Sequence, residues 1–227
     1  MKIIKIATFI IFIMTAALSA ASSKESKEFL KKLEKKSASI NTFYADLITT
    51  GYDQDNNMIP VKIRYWKDRD KIKKIITDSS ETVTTYVFGD SFIVHYSNSN
   101  IILNNNLKNL SDTELSEFKM QNNFLEYYKL NELLKKFDVA DFSNNNGTAE
   151  LFLTSKNKSN DKIKLFFDNN FNLKKIIIST GSNKQENATD YTVIFNKITI
   201  NEKISESVFK LPVELSNLKR MNESEYY

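Results

Sequence analysis

The stretch Thr82-Val83-Thr84-Thr85-Tyr86-Val87-Phe88-Gly89-Asp90-Ser91-Phe92-Ile93-Val94-His95-Tyr96 decides how this chain is read. Two runs rich in β-branched and aromatic residues, Thr82–Phe88 and Ser91–Tyr96, flank the turn pair Gly89-Asp90, and so short a link leaves room only for an antiparallel hairpin. In Phe92-Ile93-Val94-His95-Tyr96 both alternating faces are apolar or aromatic, so the sheet that holds this hairpin must be covered on both sides. The period of two continues outward. Lys71–Asp78, Ile59–Lys67 and Thr42–Gly51 precede the hairpin and Asn100–Leu103 follows it, separated by the turn signals Asp78-Ser79-Ser80, Lys67-Asp68-Arg69-Asp70, Asp53–Asn57 and Ser97-Asn98-Ser99. Connections of this length predict a meander of six antiparallel strands.

Beyond the meander the spacing becomes helical at both ends. Ser23–Ile40 gathers Phe29, Leu30 and Leu33 on one face and lysines on the others, which predicts an amphipathic helix with a solvated Lys-rich side. In Leu110–Asp138, Ser111 and Glu114 form a capping-box pair, and Leu115 and Phe118 share a face. A second helical segment, Phe124–Phe137, carries Leu125, Tyr128, Leu130, Leu133 and Leu134, with Asn122-Asn123 as the break. Four strands then follow: Thr148–Ser155, Lys162–Asp168, Asn172–Ser179 and Tyr191–Ile200, with Asp168-Asn169-Asn170 as a tight hairpin signal. Phe209–Pro212 is a last apolar element, and Val213–Tyr227 reads as a polar, frayed tail. No linker divides residues 22–212, which are read as one domain.

Composition narrows the chemistry. The 227 residues are 41% hydrophobic and 12% aromatic, ample for a core. The lack of Cys excludes disulfides, thiolate metal sites, a thiol nucleophile and a lipoprotein anchor, and a single histidine excludes multi-histidine metal sites. Four glycines cannot build a phosphate loop, and no GxSxG elbow occurs. Asp53, Asp55 and Asn57 alternate as in a calcium loop, but Met58 and Arg64 stand where its Gly and Glu belong, so they read as a hairpin turn. His95 lies within a strand and reads as a packed residue, not a base. Scattered carboxylates leave a two-carboxylate hydrolase open, since such pairs meet only in space. No enzyme activity, cofactor or metal is expected.

Residues 1–21 combine Lys2 and Lys5, an apolar run and the small residues Ser19, Ala20 and Ala21, which predicts a secretory signal peptide and a periplasmic protein that is not a lipoprotein. Cleavage after Ala21 or after Ser19 satisfies the pattern. Loss of Lys2 and Lys5 lowers the formal net charge from +4 to +2. With that balance and only Arg64, Arg69 and Arg220 as arginines, nucleic acid is excluded as a partner. A doubly covered sheet leaves two possibilities: a curved sheet whose concave side, covered by helices, encloses an apolar cavity, or a filled core.

Four segments carry a resemblance. Asn41-Thr42-Phe43-Tyr44-Ala45-Asp46-Leu47, Tyr65-Trp66-Lys67-Asp68-Arg69-Asp70-Lys71-Ile72, Phe88–Tyr96 and Val208-Phe209-Lys210-Leu211-Pro212 resemble, in order and spacing, signature segments of the outer-membrane lipoprotein carrier (LolA) family. Asp70 stands where the family has Pro, and Gly89-Asp90 reverses its Asp-Gly. The resemblance implies an α+β, mainly β fold: an open, incomplete antiparallel β-barrel covered by helices on its concave side. It implies a monomeric periplasmic chaperone whose cavity holds the acyl chains of lipoproteins, received from an inner-membrane ABC exporter and passed to an outer-membrane receptor. A lipid-binding sensor on the same fold is the alternative. The family's lid arginine maps to Arg69, with Arg64 as fallback. The cavity lining is expected from Phe43, Leu47, Ile63, Tyr65, Phe92, Val94, Leu125, Tyr128 and Leu133.

Overall fold

The computed structural model describes residues 24–52, 58–112, 114–115, 118, 130–145, 147–157, 161–180, 189–216 and 220–221. The expected leader, the Asp53–Asn57 turn, Leu125 and Tyr128 lie outside them. Helix α1 spans residues 24–38. Strands β1 (Thr42–Tyr52), β2 (Met58–Asp68), β3 (Lys71–Thr77), β4 (Thr82–Phe88), β5 (Ser91–Tyr96) and β6 (Ile101–Asn106) follow. The chain is helical at residues 112, 114, 115 and 118 and again in α2 (Leu130–Lys136). It returns as β7 (Phe137–Asn145), β8 (Thr148–Ser155), β9 (Lys162–Asp168), β10 (Leu173–Thr180) and β11 (Thr189–Ile200), and ends in α3 (Val213–Ser216) and β12 (Arg220–Met221).

All twelve strands form one open sheet in the order β12-β6-β5-β4-β3-β2-β1-β11-β10-β9-β8-β7. Every described pairing is antiparallel except that of the two-residue β12 with β6. The meander and the C-terminal strands therefore join along β1 and β11, and the fold is the mainly β, open antiparallel sheet expected. Turn chemistry sets the hairpins. Asp78 Oδ1 accepts from the Ser80 and Glu81 N–H groups at 2.7 and 2.8 Å, and these donors hold its carboxyl below its ordinary value. Asp168 Oδ1 accepts from Asn170 and Asn172 N–H at 2.9 and 2.8 Å. Phe171, in that turn, takes a left-handed φ of 57°, a costly conformation for an aromatic residue; its ring lies 5.2 Å from that of Phe29 on α1.

Two elements depart from the sequence reading. Phe137–Asn145, expected as a helix end and a loop, is edge strand β7, paired from Phe137↔Ser155 to Asn145↔Thr148. Its bulge between Val139 and Asp141 breaks the period of two, and its Asp and Asn residues have weak strand propensity, so only the partner strand reveals it. The expected frayed tail contains α3 and the β12 pairing of Arg220 with Ile102 and Met221 with Leu103.

Candidate functional site

The registers sort side chains onto two faces. One face carries Phe43, Ala45 and Leu47 of β1 opposite Lys67, Tyr65 and Ile63 of β2, then Ile72, Lys74 and Ile76 of β3, Val87, Thr85 and Val83 of β4, and Phe92, Val94 and Tyr96 of β5. The same face continues the other way through Ile198 and Phe195 of β11, Ile176 of β10, Leu165 and Phe167 of β9, Leu151 and Leu153 of β8, and Phe142 of β7. Helical segments pack on it. The Phe29 ring of α1 lies 5.1 Å from Phe142 and 5.5 Å from Phe167, and the Phe118 ring lies 4.7 Å from Phe92. We call this the inner face. Burial follows: Leu33, Phe43, Leu47, Tyr65, Leu153, Leu165, Phe167 and Ile176 are fully buried.

All six strand positions expected to line a cavity, Phe43, Leu47, Ile63, Tyr65, Phe92 and Val94, stand on the inner face. The first five are buried, and Val94 and Leu133 are half-buried against the same core. The face extends well beyond them, because strands β7 to β11 contribute as much apolar surface as the meander. α1 is also pinned at its C-terminal end: Lys36 Nζ donates to the Asn170 carbonyl oxygen and, at 2.7 Å, to Asn172 Oδ1. Burial lowers the Lys36 pKa more than the Asp168 charge raises it.

Sequence reasoning missed Lys74. It stands between Tyr65 and Thr85 in one cross-strand row of the inner face, flanked by apolar rows through Ile72 and Ile76. It is only 7% exposed, and desolvation brings its ammonium pKa down to about 8. In Lys73-Lys74 the residues that face solvent and core cannot be told apart without the register.

The two arginines lie apart. Arg69 occupies the β2–β3 turn at φ 54° and is exposed; its backbone N–H donates to the Asn41 carbonyl oxygen at 3.4 Å, tying the turn to the α1–β1 junction. Arg64 is on the outer face, its guanidinium 5.8 Å from the centre of the Trp66 ring. Also on that face, a cleft of about 350 Å³ separates Tyr44, Trp66 and Lys197 from the segment Glu202–Val208. This segment begins the strap from β11 to β12, which must pass β1 to β5 to reach β6. His95 Nε2 is buried on the outer face without a hydrogen-bond partner among the described residues. No described helix is long and apolar enough to cross a membrane.

No family model matches the chain, and no curated protein matches it in sequence. Solved structures are similar. The crystal structure of MucB matches with a TM-score of 0.47 at 11% identity, over 84% of this chain and 64% of that one. The chain thus spans less than two thirds of the MucB chain, and MucB is also known in complex with MucA(peri). Lipoprotein LppX of Mycobacterium tuberculosis matches with a TM-score of 0.42 at 14% identity, over 78% of this chain and 95% of that one. A LolA superfamily protein from Nitrosomonas europaea matches with a TM-score of 0.37 at 9% identity, over 80% and 97%. At these identities and scores the likeness is one of sheet architecture alone.

Proposed function

We propose that this chain is an exported chaperone that takes lipoprotein acyl chains between the inner sheet face and its helical cover, and carries them through the periplasm from an inner-membrane ABC exporter to an outer-membrane receptor. The observation that supports it is one mainly apolar face, interrupted by Lys74 and Thr85, in register from Phe142 on β7 to Leu103 on β6, whose cover consists of helical pieces outside the sheet. Displacing the cover near Phe118 uncovers apolar surface while every strand keeps its pairing. An acyl chain in water loses about 0.8 kcal/mol per exposed CH₂, so a carrier must enclose it, and no reacting group is required. The sequence resemblance to the lipoprotein carriers points the same way. Arg69 is our choice for the residue that ties the β2–β3 turn to the cover; Arg69→Leu should admit cargo and slow its release.

The test is thermal. A ligand that binds only the folded state raises the melting temperature by mass action. A fatty-acylated peptide should raise it and the same peptide without its chain should not, while Val94→Trp, which fills the inner face, should abolish the acyl-dependent shift. Equal behaviour of the two peptides below the micellar concentration would overturn the proposal. Acyl binding without transfer to an outer-membrane acceptor would replace the carrier with a lipid-binding regulator.

A further inference from the structure

The outer face is not a polar counterpart of the inner one. Every cation–ring contact among the described residues lies there: Lys164 over Phe152 at 5.4 Å, Lys175 over Phe166 at 5.7 Å, Lys197 over Tyr44 at 5.9 Å, Arg64 over Trp66 at 5.8 Å, and Lys73 over Trp66 and Tyr86 at 5.9 and 5.1 Å. Its two halves differ. At the Tyr44 and Trp66 end of β1 and β2 the strap beginning at Glu202 faces these rings across the cleft and leads away toward β6. From β8 across β9, β10 and β11 to the Ile48 and Lys62 positions of β1 and β2, no described element covers the face. There Phe166, Lys175, Ile194, Ile48 and Lys62 are successive cross-strand neighbours in one line, and the pair Phe152 and Lys164 stands beside it. Ile194, at the centre of the line, is 47% exposed. Among the described residues Lys62, Lys164 and Lys175 are in no ion pair. Four acids share the face: Glu150 stands opposite Phe166 and Asp141 opposite Phe152, Asp46 lies between Lys197 and Arg64, and Asp168 is held by the Asn170 and Asn172 N–H groups.

From this arrangement we infer that the open half of the outer face docks the protein on an anionic phospholipid bilayer. A wide face of lysines beside aromatic rings, with an isoleucine at its centre, offers no bidentate fork for a specific anion, and a recess of about 290 Å³ beside Phe152 and Lys164 also holds Asp141 and Glu150, which repel one. It does complement a surface of many phosphates over an apolar interior: the ammonium groups meet headgroups, and the rings and Ile194 enter the interface. The site is separate from the inner face, so it holds whether or not the inner face carries acyl chains.

Vesicle co-sedimentation tests it. The purified chain should bind vesicles of phosphatidylglycerol and phosphatidylcholine, bind phosphatidylcholine vesicles far more weakly, and be released by salt. Lys164→Gln with Lys175→Gln should weaken binding by roughly thirty-fold, about fivefold for each lysine at an anionic surface. Ile194→Asp should weaken it further, and both variants should melt as the parent does and keep any acyl-dependent shift. Binding indifferent to lipid charge, as an uncleaved leader would produce, would overturn the inference. So would an unchanged double variant, or charge-dependent binding to polyglutamate with none to vesicles.

Discussion

The inner and outer faces of this sheet are built from the same strands, yet they obey different rules. On the inner face Phe43, Leu47, Leu153, Leu165 and Ile176 alternate strictly with outward residues and are sealed under helices. On the outer face lysines alternate with aromatic rings, and only the half under the strap is covered. The inner face holds most of the fully buried apolar side chains, although Ile76, Val83, Val94 and Tyr96 on it are only partly buried and Tyr86 and Ile102 are buried on the outer face. The open half of the outer face leaves Ile194 47% exposed among lysines whose stems lie along the sheet.

The sharpest way to break this contrast is to truncate the inner face. Leu33→Ala on α1 or Leu165→Ala on β9, both fully buried, should each cost about 2–5 kcal/mol in denaturant unfolding. A loss below that range would mean that the cover is loosely packed and that the inner face has spare room.

Lys74 sharpens the comparison, because it is a lysine buried on the inner face. Its ammonium pKa falls to about 8 on folding, so above that value the unfolded chain binds more protons than the folded one. Its burial cost is present in full below pH 8. Stability should rise as pH increases from there toward the ordinary lysine value, by at most about 3 kcal/mol. Lys74→Met should remove this rise, and an identical pH profile in the variant would assign it elsewhere.

A smaller effect is expected in the cover. Ser111 donates through both its N–H and its hydroxyl to Glu114 Oε2, at 2.7 and 2.6 Å, and accepts from Glu114 N–H at 3.3 Å. Ser111→Ala should cost about 1 kcal/mol and speed hydrogen exchange around Phe118 more than in the sheet. Smallest of all, Ile194→Ala on the open outer face should change stability by less than about 0.5 kcal/mol, measured by the same unfolding experiment. A loss as large as that of Leu165→Ala would show that the outer face is part of the core.

Much of this was legible in the residues. The hairpin Thr82–Tyr96 was readable because the turn pair Gly89-Asp90 separates two runs of strong strand formers, and in the structure Gly89 takes a left-handed φ of 58°. The Ser111–Glu114 cap and the Asp168 turn were readable because each is made within four residues. Ile63 and Tyr65 were legible as one face because Lys62 and Arg64 alternate with them, whereas Phe92 and Val94 have apolar neighbours on both sides and only the register places them. Strand β7 was not readable, since a bulge and weak propensities hide it until β8 pairs with it, and neither was Lys74, since either of two adjacent lysines could point inward.

The chain alone therefore determined most of its strands and turns, because these depend on contacts a few residues apart. Only the tertiary structure decided that β1 and β11 join the two halves, that β7 and β12 are the sheet's edge strands, and that Lys164, Lys175 and Ile194 share one surface. Those facts rest on registers between strands far apart in sequence, and one step of register sends every side chain to the opposite face.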